Sequence, residues 1–341
     1  MRDALAGNIR KKAIELGYDD CGIINLSSMN GYAQKLSERI ALFPETEPRM
    51  KIFFGLASLE QNFPWAKSIV ICVRHYGKYH IPAHLQGLIA KYYLVDSRID
   101  TASAEYSASD LFDAFLREQG LKTETERKFG ITALRWAAMQ AGLSIVRKNN
   151  FFYTEKGSWV HLEAWLIDVD LKLLSDQQPE ACPESCNRCI TACPTKSLVR
   201  PYAMNRDSCV SSITTWDGRD MPNEKHRGQL GNWVFGCDAC QDACPHNKNK
   251  WRGDEAFHGL DELAEFISLE KIVAMDYDFL ENVMSSKFWY IRKKDVWKWK
   301  VNAINAMMND DVAKYRESIE AASHDLHEKV REMAQFALSS I

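Results

Sequence analysis

The stretch that decides the fold runs from Cys182 to Pro245. It begins Cys182-Pro-Glu-Ser-Cys186-Asn-Arg-Cys189-Ile-Thr-Ala-Cys193-Pro194, continues through Cys209, and ends Cys237-Asp-Ala-Cys240-Gln-Asp-Ala-Cys244-Pro245. Eight of the ten cysteines of the chain lie in it. Two runs that end Cys-x-x-Cys-x-x-x-Cys-Pro are the pattern by which ferredoxin modules hold a pair of 4Fe–4S clusters. The stretch therefore predicts a module that binds two such clusters.

The spacing also predicts which cysteines share a cluster. Each run directs its first thiolates to one cluster, and its last cysteine, carried away on the following helix, ligates the other cluster. The predicted ligands are Cys182, Cys186, Cys189 and Cys244 for cluster 1, and Cys193, Cys209, Cys237 and Cys240 for cluster 2. One interval departs from the usual pattern, because three residues rather than two separate Cys182 from Cys186.

Two other uses of paired cysteines fit the sequence less well. Zinc sites also use Cys-x-x-Cys pairs, but a zinc ribbon does not need the trailing x-x-x-Cys-Pro, which occurs twice here. Disulfide frameworks are typical of small secreted domains, whereas this chain has 341 residues. We therefore expect iron–sulfur clusters.

Composition and charge place few limits on function. Hydrophobic residues make up 46% and charged residues 26%, which is ordinary for a soluble globular protein. A net charge of −3 leaves nucleic-acid binding to a local basic patch. The longest apolar run, at 69–73, is too short to span a bilayer, and the first residues do not form an export signal. We expect a cytoplasmic protein with no membrane association, and a monomer.

Helical and strand patterns alternate in the first 175 residues. Apolar spacing predicts helices at 5–16, 111–120 and 134–141, and strands at 18–26, 67–74, 150–154 and 159–171. This alternation predicts an α/β domain. Cys21 and Cys72 lie inside predicted strands, and we interpret them as small buried hydrophobic residues. The chain has no Gly-x-Gly-x-x-Gly or Walker motif, so the nucleotide-binding fingerprints are absent.

Helix-forming residues dominate after residue 255. Short helices are predicted at 260–266, 268–275 and 276–284, and longer ones near 301–309 and 330–338. The segment between them, from Lys287 to Lys300, is both basic and aromatic. Cations that contact phosphates and aromatic rings that stack on unpaired bases would suit tRNA. The alternative is that Phe288, Trp297 and Trp299 face the core while the cations face solvent.

Several further motifs carry a family resemblance. They are Cys193-Pro-Thr-Lys-Ser-Leu198, Asn205-Arg-Asp-Ser-Cys209, Met221-Pro-Asn-Glu224, Gly231-Asn-Trp-Val-Phe-Gly-Cys237, Ala141-Gly-Leu143, Lys148-Asn149 and Lys156-Gly-Ser-Trp159. In this order, and together with the cysteine runs, they resemble the epoxyqueuosine reductases, cobalamin-dependent iron–sulfur enzymes that complete the queuosine base in tRNA. The resemblance covers almost the whole chain.

The resemblance implies a three-part organisation and a reaction. The parts are a flavin-reductase-like cobalamin- and substrate-binding domain at 1–175, a bacterial-ferredoxin-like double 4Fe–4S domain at 176–255, and a HEAT-like helical domain at 256–341, within a mixed α+β or α/β multidomain fold. The reaction is reduction of an epoxide, from epoxyqueuosine to queuosine, by Co(I) that the two clusters supply with electrons. A low-potential ferredoxin or flavodoxin would be the electron donor. The implied cobalamin-binding residues are Ala141, Gly142, Leu143, Lys148, Asn149, Gly157, Ser158 and Trp159.

The residues expected to face the substrate differ from the family pattern. An ungapped alignment places Lys128 where the family has an aspartate that delivers a proton, and the family's Asp-Tyr-His is Glu105-Tyr106-Ser107 here. The candidate catalytic residues are Lys128, Tyr106, Tyr153 and Arg147. A cation beside a tyrosine stabilises the phenolate and lowers its pKa, so Tyr106 with Lys128 or Arg147 would form a proton-donating pair, as in reductive dehalogenases. The alternative is that the tyrosines are packed aromatics and the cations are solvated or ion-paired.

Two other functions remain open at this point. A paralogue would keep the cofactors and reduce another small organic substrate, perhaps by dehalogenation. An electron-relay protein would keep the clusters without a corrinoid and would pass electrons to a partner.

Overall fold

The structure, a computed structural model, describes residues 2–177, 179–215 and 225–340. The chain divides into two units that alternate along the sequence. Unit 1 comprises Met1–Lys78, Asp96–Cys186 and Pro245–Arg252, and unit 2 comprises Tyr79–Val95, Asn187–Cys244 and Gly253–Ile341. The three-domain division at residues 175 and 255 stays a prediction. The Met221–Glu224 motif lies outside the described residues.

The secondary structure consists mostly of short elements. The strands are β1 (Asp20–Asn25), β2 (Ser68–His75), β3 (Thr123–Thr125), β4 (Ile145–Val146), β5 (Phe152–Tyr153), β6 (Val160–Ile167), β7 (Leu198–Arg200) and β8 (Ala203–Met204). The α-helices are α1 (Arg2–Glu15), α2 (Tyr32–Leu42), α3 (Glu47–Met50), α4 (Leu59–Asn62), α5 (Lys91–Leu94), α6 (Ala104–Glu118), α7 (Leu134–Gln140), α8 (Arg188–Thr191), α9 (Val210–Thr214), α10 (Ala239–Asp242), α11 (Leu260–Ala264), α12 (Leu269–Ala274), α13 (Tyr277–Phe279), α14 (Ser285–Lys287), α15 (Trp297–Asp310), α16 (Arg316–Ala322) and α17 (Glu328–Leu338). Short 3-10 turns lie at Leu26–Met29, Pro44–Thr46, Lys51–Leu56, Ala83–Leu85, Arg206–Ser208, Pro245–Asn247 and Lys293–Asp295, and a π-helical turn at Leu280–Met284.

The sheet of unit 1 has four strands in the order β1-β2-β6-β3, and each neighbouring pair is antiparallel. The α/β interpretation, which implies a mainly parallel sheet, is therefore wrong for this unit, and the α+β alternative is correct. The apolar run of β2 misled the interpretation because helices cover both faces of this antiparallel sheet. The sequence of a strand that is buried on both faces is continuously apolar, whether its neighbouring strands are parallel or antiparallel.

Two cores lie on opposite faces of this sheet. On one face, Ile9 of α1 and Phe112 of α6 pack around Trp165 of β6, together with Cys21 and Cys72. These two cysteines are fully buried and lie opposite each other in the β1–β2 register, so their interpretation as buried hydrophobic residues is confirmed. On the other face, the small side chains of α7 allow this helix to pack closely on β2 and β6.

Unit 2 contains the β7–β8 hairpin and the helices of the chain's last third. Helices α11 to α17 and the π-helical turn confirm the predicted helical tail, although several are shorter than expected. Phe288, Trp297 and Trp299 are buried, and the ring of Trp299 stacks on Phe235 at 5.0 Å. The core interpretation of these aromatic residues is therefore confirmed. Among the described residues, no helix combines the length and apolar composition needed to cross a membrane.

Candidate functional site

The four predicted ligands of cluster 2 lie in unit 2 and share one electrostatic environment. Burial raises the pKa of the Cys240 thiol well above its ordinary value, and Cys209, Asp238, Cys193 and Cys189 raise it further. Burial also raises the pKa of the Cys237 thiol, with added contributions from Cys209 and Cys240. Thiols raise each other's pKa only when they are close, because neighbouring thiolates repel. The fold therefore gathers Cys193, Cys209, Cys237 and Cys240.

Apolar side chains surround these cysteines. Leu198, Ile190 and Met204 pack around Cys189 and Cys193. An apolar shell excludes water and favours a low reduction potential at a bound cluster. Across residues 2–177, 179–215 and 225–340, no three histidine, cysteine or acidic side chains converge as the ligands of a single metal ion would. A cubane cluster is larger than one ion and spaces its thiolates more widely, so this set of four buried or half-buried thiols fits such a cluster.

The loop that carries Cys182 and Cys186 lies in unit 1 and is held by Lys148. The Lys148 ammonium donates to the carbonyl oxygens of Pro183 at 2.8 Å, Glu184 at 2.8 Å and Cys186 at 2.9 Å. Lys148 is only 6% exposed. An ammonium has three N–H donors, and three carbonyls of this loop accept from it. Lys148, which the resemblance assigns to cobalamin, thus has a direct role in fixing the loop of the first cysteines.

Arg147 reaches the same loop. Its Nη1 lies 3.8 Å from the Cys182 sulfur, and its guanidinium lies over the Tyr153 ring at 5.3 Å. Tyr153 is completely buried, and its hydroxyl accepts a hydrogen bond from Asn149 at 2.8 Å. The structure therefore places Arg147 against Tyr153 and Cys182, not in the predicted pair with Tyr106.

The cation that contacts Tyr106 is Arg127. Its guanidinium carbon lies 4.2 Å from the centre of the half-buried Tyr106 ring, and its Nη2 pairs with Asp110. Lys128 is exposed, and its backbone amide donates to the Glu126 carboxylate at 2.9 Å. The predicted cation–tyrosine pair thus exists with the neighbouring residue, and the sequence contained that signal in the Arg127-Lys-Phe-Gly130 segment. A catalytic role for Lys128 or Tyr106 stays a prediction.

The Ala141–Leu143 motif lies in the protein interior. Ala141 and Leu143 are buried in the core on the α7 face of the sheet. Gly142 has a left-handed backbone (φ +70°), and a Cβ there would lie 2.3 Å from the carbonyl oxygen of Ser175. Only glycine fits such a close approach. These side chains pack within unit 1, and their predicted contact with cobalamin stays a prediction.

The Gly157–Trp159 motif is bonded to a turn of the same unit. The Ser158 amide donates to Asn247 Oδ1 at 2.8 Å, and Asn247 Nδ2 donates to the Ser158 hydroxyl at 2.8 Å. A Cβ on Gly157, which also has a left-handed backbone, would lie 2.6 Å from Asn247 Oδ1. Trp159 is buried and packs edge-on against Trp251 at 5.3 Å. The motif therefore anchors residues 245–252, and its predicted cobalamin contact is likewise untested.

Unit 1 also contains a cavity of about 510 Å³. Arg74 and His75, at the end of β2, form part of its wall, together with Glu105 at the start of α6. Burial lowers the pKa of His75. In this partly open cavity, unit 1 presents several charged side chains to one volume.

The basic segment of the C-terminal region is largely buried. Lys298 and Lys300 are buried, and Lys300 donates to Asp325 at 2.8 Å. Asp325 also accepts from the Tyr277 hydroxyl. Stacking of the buried tryptophans on RNA bases is therefore ruled out in this conformation. Arg292, Lys293 and Lys294 are exposed, and of these Arg292 pairs with Asp295 at 2.8 Å and Lys293 donates to Asn282 at 2.9 Å.

Comparisons with known proteins agree with this geometry. The family model of a 4Fe–4S double cluster binding domain matches residues 182–247, so this region is a 4Fe–4S double cluster domain. An epoxyqueuosine reductase of Cyclobacterium marinum is 28% identical over 272 residues, which are 73% of this chain and 81% of that protein. One of Cellulophaga algicola is 38% identical over 113 residues, but this segment is 33% of this chain and only 36% of that protein.

Solved structures of epoxyqueuosine reductase share the fold. One, bound to an epoxyqueuosine-modified tRNA-Tyr stem loop, has a TM-score of 0.79 and 24% identity, with 99% of this chain and 90% of that chain covered. Another, from Bacillus subtilis with its catalytic aspartate loop swung out of the active site, has a TM-score of 0.78 and 23% identity over the same shares. The resemblance predicted from the sequence is therefore confirmed.

Proposed function

We propose that this chain, which has the fold of the epoxyqueuosine reductases and resembles them in sequence, is a cytoplasmic cobalamin-dependent reductase of epoxyqueuosine in tRNA. The observation that carries the proposal is the presence of the double cluster domain within a chain whose whole length follows that fold. A ferredoxin-like module alone would suit many electron carriers. Its combination with this particular N-terminal fold favours the reductase.

The two clusters would deliver electrons one at a time to the reaction. Removal of the epoxide oxygen as water requires a pair of electrons and a pair of protons. In this proposal, Cys182, Cys186, Cys189 and Cys244 hold one cluster, and the four gathered thiols of unit 2 hold the other. Cobalamin, when bound, would supply a strongly reducing cobalt centre.

Tyr106 would supply a proton in this scheme. It is half-buried, and the Arg127 guanidinium lies over its ring face, 4.2 Å from the ring centre. The pairing of Arg127 with Asp110 fixes the guanidinium in this position. Tyr153 and Arg147 are less suited to contact a substrate, because both are buried and Tyr153 already bonds to Asn149.

We propose tRNA as the substrate-bearing partner and a low-potential ferredoxin or flavodoxin as the electron donor. One protein of this fold has been solved with a modified tRNA stem loop. On this chain, Arg292, Lys293 and Lys294 are exposed next to one another and suit a phosphate backbone. The HEAT-like description of the C-terminal helices belongs to this proposal as well.

The test is anaerobic and has two stages. The clusters are reconstituted, cobalamin is added, and the visible spectrum is recorded before and after a strong reductant. The enzyme is then incubated with a stem-loop RNA that contains epoxyqueuosine, and queuosine is measured by mass spectrometry. Conversion of the RNA supports the proposal, whereas iron–sulfur absorbance without any response from cobalamin would favour the electron-relay alternative.

A second function is favoured by one observation. An ungapped alignment places Lys128 where the family has its proton-delivering aspartate, and a tyrosine beside a cation, as Tyr106 lies beside Arg127, suits other reductive chemistry, including dehalogenation. A chain that binds and reduces cobalamin but leaves epoxyqueuosine unchanged would support this paralogue. A Cys209→Ser variant, which should lose cluster 2, serves as the inactive control for both stages.

A further inference from the structure

The cavity of unit 1 has a strongly cationic wall. Its charged lining residues are Arg74, Lys78, Lys156, Lys250, Arg252, Asp19 and Glu105. Five of these side chains are cationic and two are acidic, so the wall carries a formal excess of three positive charges with His75 neutral. The whole chain has a net charge of −3. This local excess in a protein of the opposite net charge indicates an anionic ligand.

The acidic side chains neutralise only part of the wall. Asp19 pairs with Lys156, and Glu105 pairs with Lys78 at 3.2 Å. Arg74 has no carboxylate partner among the described ion pairs, and it stacks on the Tyr18 ring at 4.0 Å. Arg74 is therefore a buried cation of the wall whose charge an incoming anion would balance.

Arg74 also has unsatisfied donors. It is 5% exposed, and its Nε and Nη2 are buried without a hydrogen-bond partner. Buried donors without partners cost free energy, so native proteins rarely leave them. Nε and Nη2 form one edge of the guanidinium, and this edge matches two oxygens of a single phosphate or carboxylate. Both atoms have almost no accessible surface, so an anion in the cavity meets this edge only after the Arg74 side chain turns towards it.

We propose that this cavity binds a phosphodiester group and that Arg74 is its bidentate anchor. The two non-bridging oxygens of a phosphodiester suit the arginine edge as well as the two oxygens of a carboxylate do, and the cations of the wall come from different segments around one volume. Two phosphodiesters belong to the proposed reaction, namely the nucleotide tail of cobalamin and the RNA backbone. The identity of the phosphodiester rests on the proposed function, whereas the existence of an anion site rests on the charges of the cavity wall.

Binding measurements test the site without turnover. Arg74→Met replaces the guanidinium by an uncharged, apolar side chain of similar length. Arg74→Lys restores the positive charge but not the two parallel donors of the guanidinium edge. The matched control is Arg117→Met, because Arg117 is an exposed arginine of α6 that pairs with Asp113. The double variant Lys250→Glu/Arg252→Glu changes two exposed residues of the cavity wall. It tests the same site without disturbing the buried Arg74, so the proposal can still be refuted if the Arg74 variants misfold.

Four probes separate the possible outcomes. The binding of cobalamin, and of cobinamide, which lacks the nucleotide tail, is measured by visible absorbance. The binding of a stem-loop RNA is measured by fluorescence anisotropy. The binding of inorganic phosphate is measured by its effect on the melting temperature. We expect Arg74→Met and the double variant to weaken cobalamin or the RNA at least about tenfold, which is ~1.4 kcal/mol, and to leave cobinamide unchanged. A loss of affinity for cobalamin identifies the nucleotide tail of the corrinoid as the ligand of the cavity, and a loss of affinity for the RNA identifies the nucleic-acid backbone.

Two results overturn the proposal. One is wild-type affinity of the Arg74→Met and double variants for cobalamin and RNA. The other is an equal loss for cobinamide, because the contact would then not involve a phosphodiester. If the native chain binds neither cobalamin nor RNA, the proposed function fails, and the effect of inorganic phosphate on the melting temperature then tests the anion site by itself. Stabilisation by phosphate that Arg117→Met keeps and Arg74→Met loses supports the site. Equal stabilisation of the two variants refutes it.

Discussion

Replacement of Lys148 by methionine tests how the first cysteines are held. Its ammonium donates to three carbonyl oxygens of the loop at 2.8, 2.8 and 2.9 Å. Residues 183–185 of this loop are themselves exposed. The loop therefore depends on Lys148 for its attachment, and Lys148→Met should release it while leaving the buried sheet intact.

The magnitude follows from these three contacts. A hydrogen bond from a charged donor contributes about 1.5–3 kcal/mol in a folded protein. The total is smaller than three such values, because the exposed carbonyls regain water and the variant no longer buries an ammonium, which costs several kcal/mol. We expect a net loss of about 2 kcal/mol. At ~1.4 kcal/mol per factor of ten, the open loop becomes about thirtyfold more populated.

Iron release measures that population. Anaerobic protein with both clusters is mixed with an iron chelator, and the absorbance of the chelate is followed. About half of the iron, from cluster 1, should leave about thirtyfold faster in Lys148→Met, because release follows the fraction of open loop when closing is fast. Lys35→Met is the control, since Lys35 is exposed and pairs only with Glu38 on the surface. Wild-type release from Lys148→Met would refute this account.

The remaining predictions concern the clusters, the proton donor, the helical region and RNA. Cys186→Ala should lose about half of the iron, and an unchanged iron content would disprove its assignment as a ligand. Tyr106→Phe should keep both clusters but lower turnover at least about tenfold if the phenol donates the proton; full activity would remove Tyr106 from the mechanism. Burial raises the pKa of Asp325, but hydrogen bonds from its ammonium and phenol partners outweigh burial and hold the pKa below its ordinary value. Asp325→Asn should therefore lower the free energy of unfolding by about 2 kcal/mol at neutral pH. This difference between the native protein and the variant should narrow as the pH falls below ~4 through the lowered pKa of Asp325. A difference that does not change with pH in urea unfolding would contradict this account. Charge reversal of Lys293 and Lys294 should weaken stem-loop binding about tenfold at low salt and much less at high salt, and equal affinity at low salt would exclude this surface.

The sequence predicted the features that depend on local spacing. The cysteine runs could be identified because cluster ligands must recur at intervals that a short loop can bridge. The helix that ends before Gly17 and the strands around Cys21 and Cys72 followed from apolar periodicity. These features need no knowledge of distant partners.

Features that depend on distant partners were not accessible in the same way. The antiparallel order of the sheet is set by contacts between strands far apart in sequence, such as Ile71 opposite Ala164. Very short strands, such as β3 and β4, have too few residues to show a period. The contact of Lys148 with the cysteine loop joins residues about 35 positions apart, and nothing in a Lys-Asn dipeptide indicates whether its charge faces a ligand or a backbone.

These contacts change what the family motifs mean. Gly142 leaves no room for a side chain beside Ser175, and Lys148 holds the loop of Cys186. Motif residues of this kind would be retained by any protein that keeps the fold and the clusters, whatever its substrate. We therefore expect specificity to reside in residues that the fold does not need, and we propose Tyr106 with Arg127 and the Arg74 cavity for this role. A Tyr106→Phe variant that loses turnover while Arg74→Met loses phosphodiester binding would separate the chemical step from recognition, and coincident loss of both properties in each variant would show that they form one site.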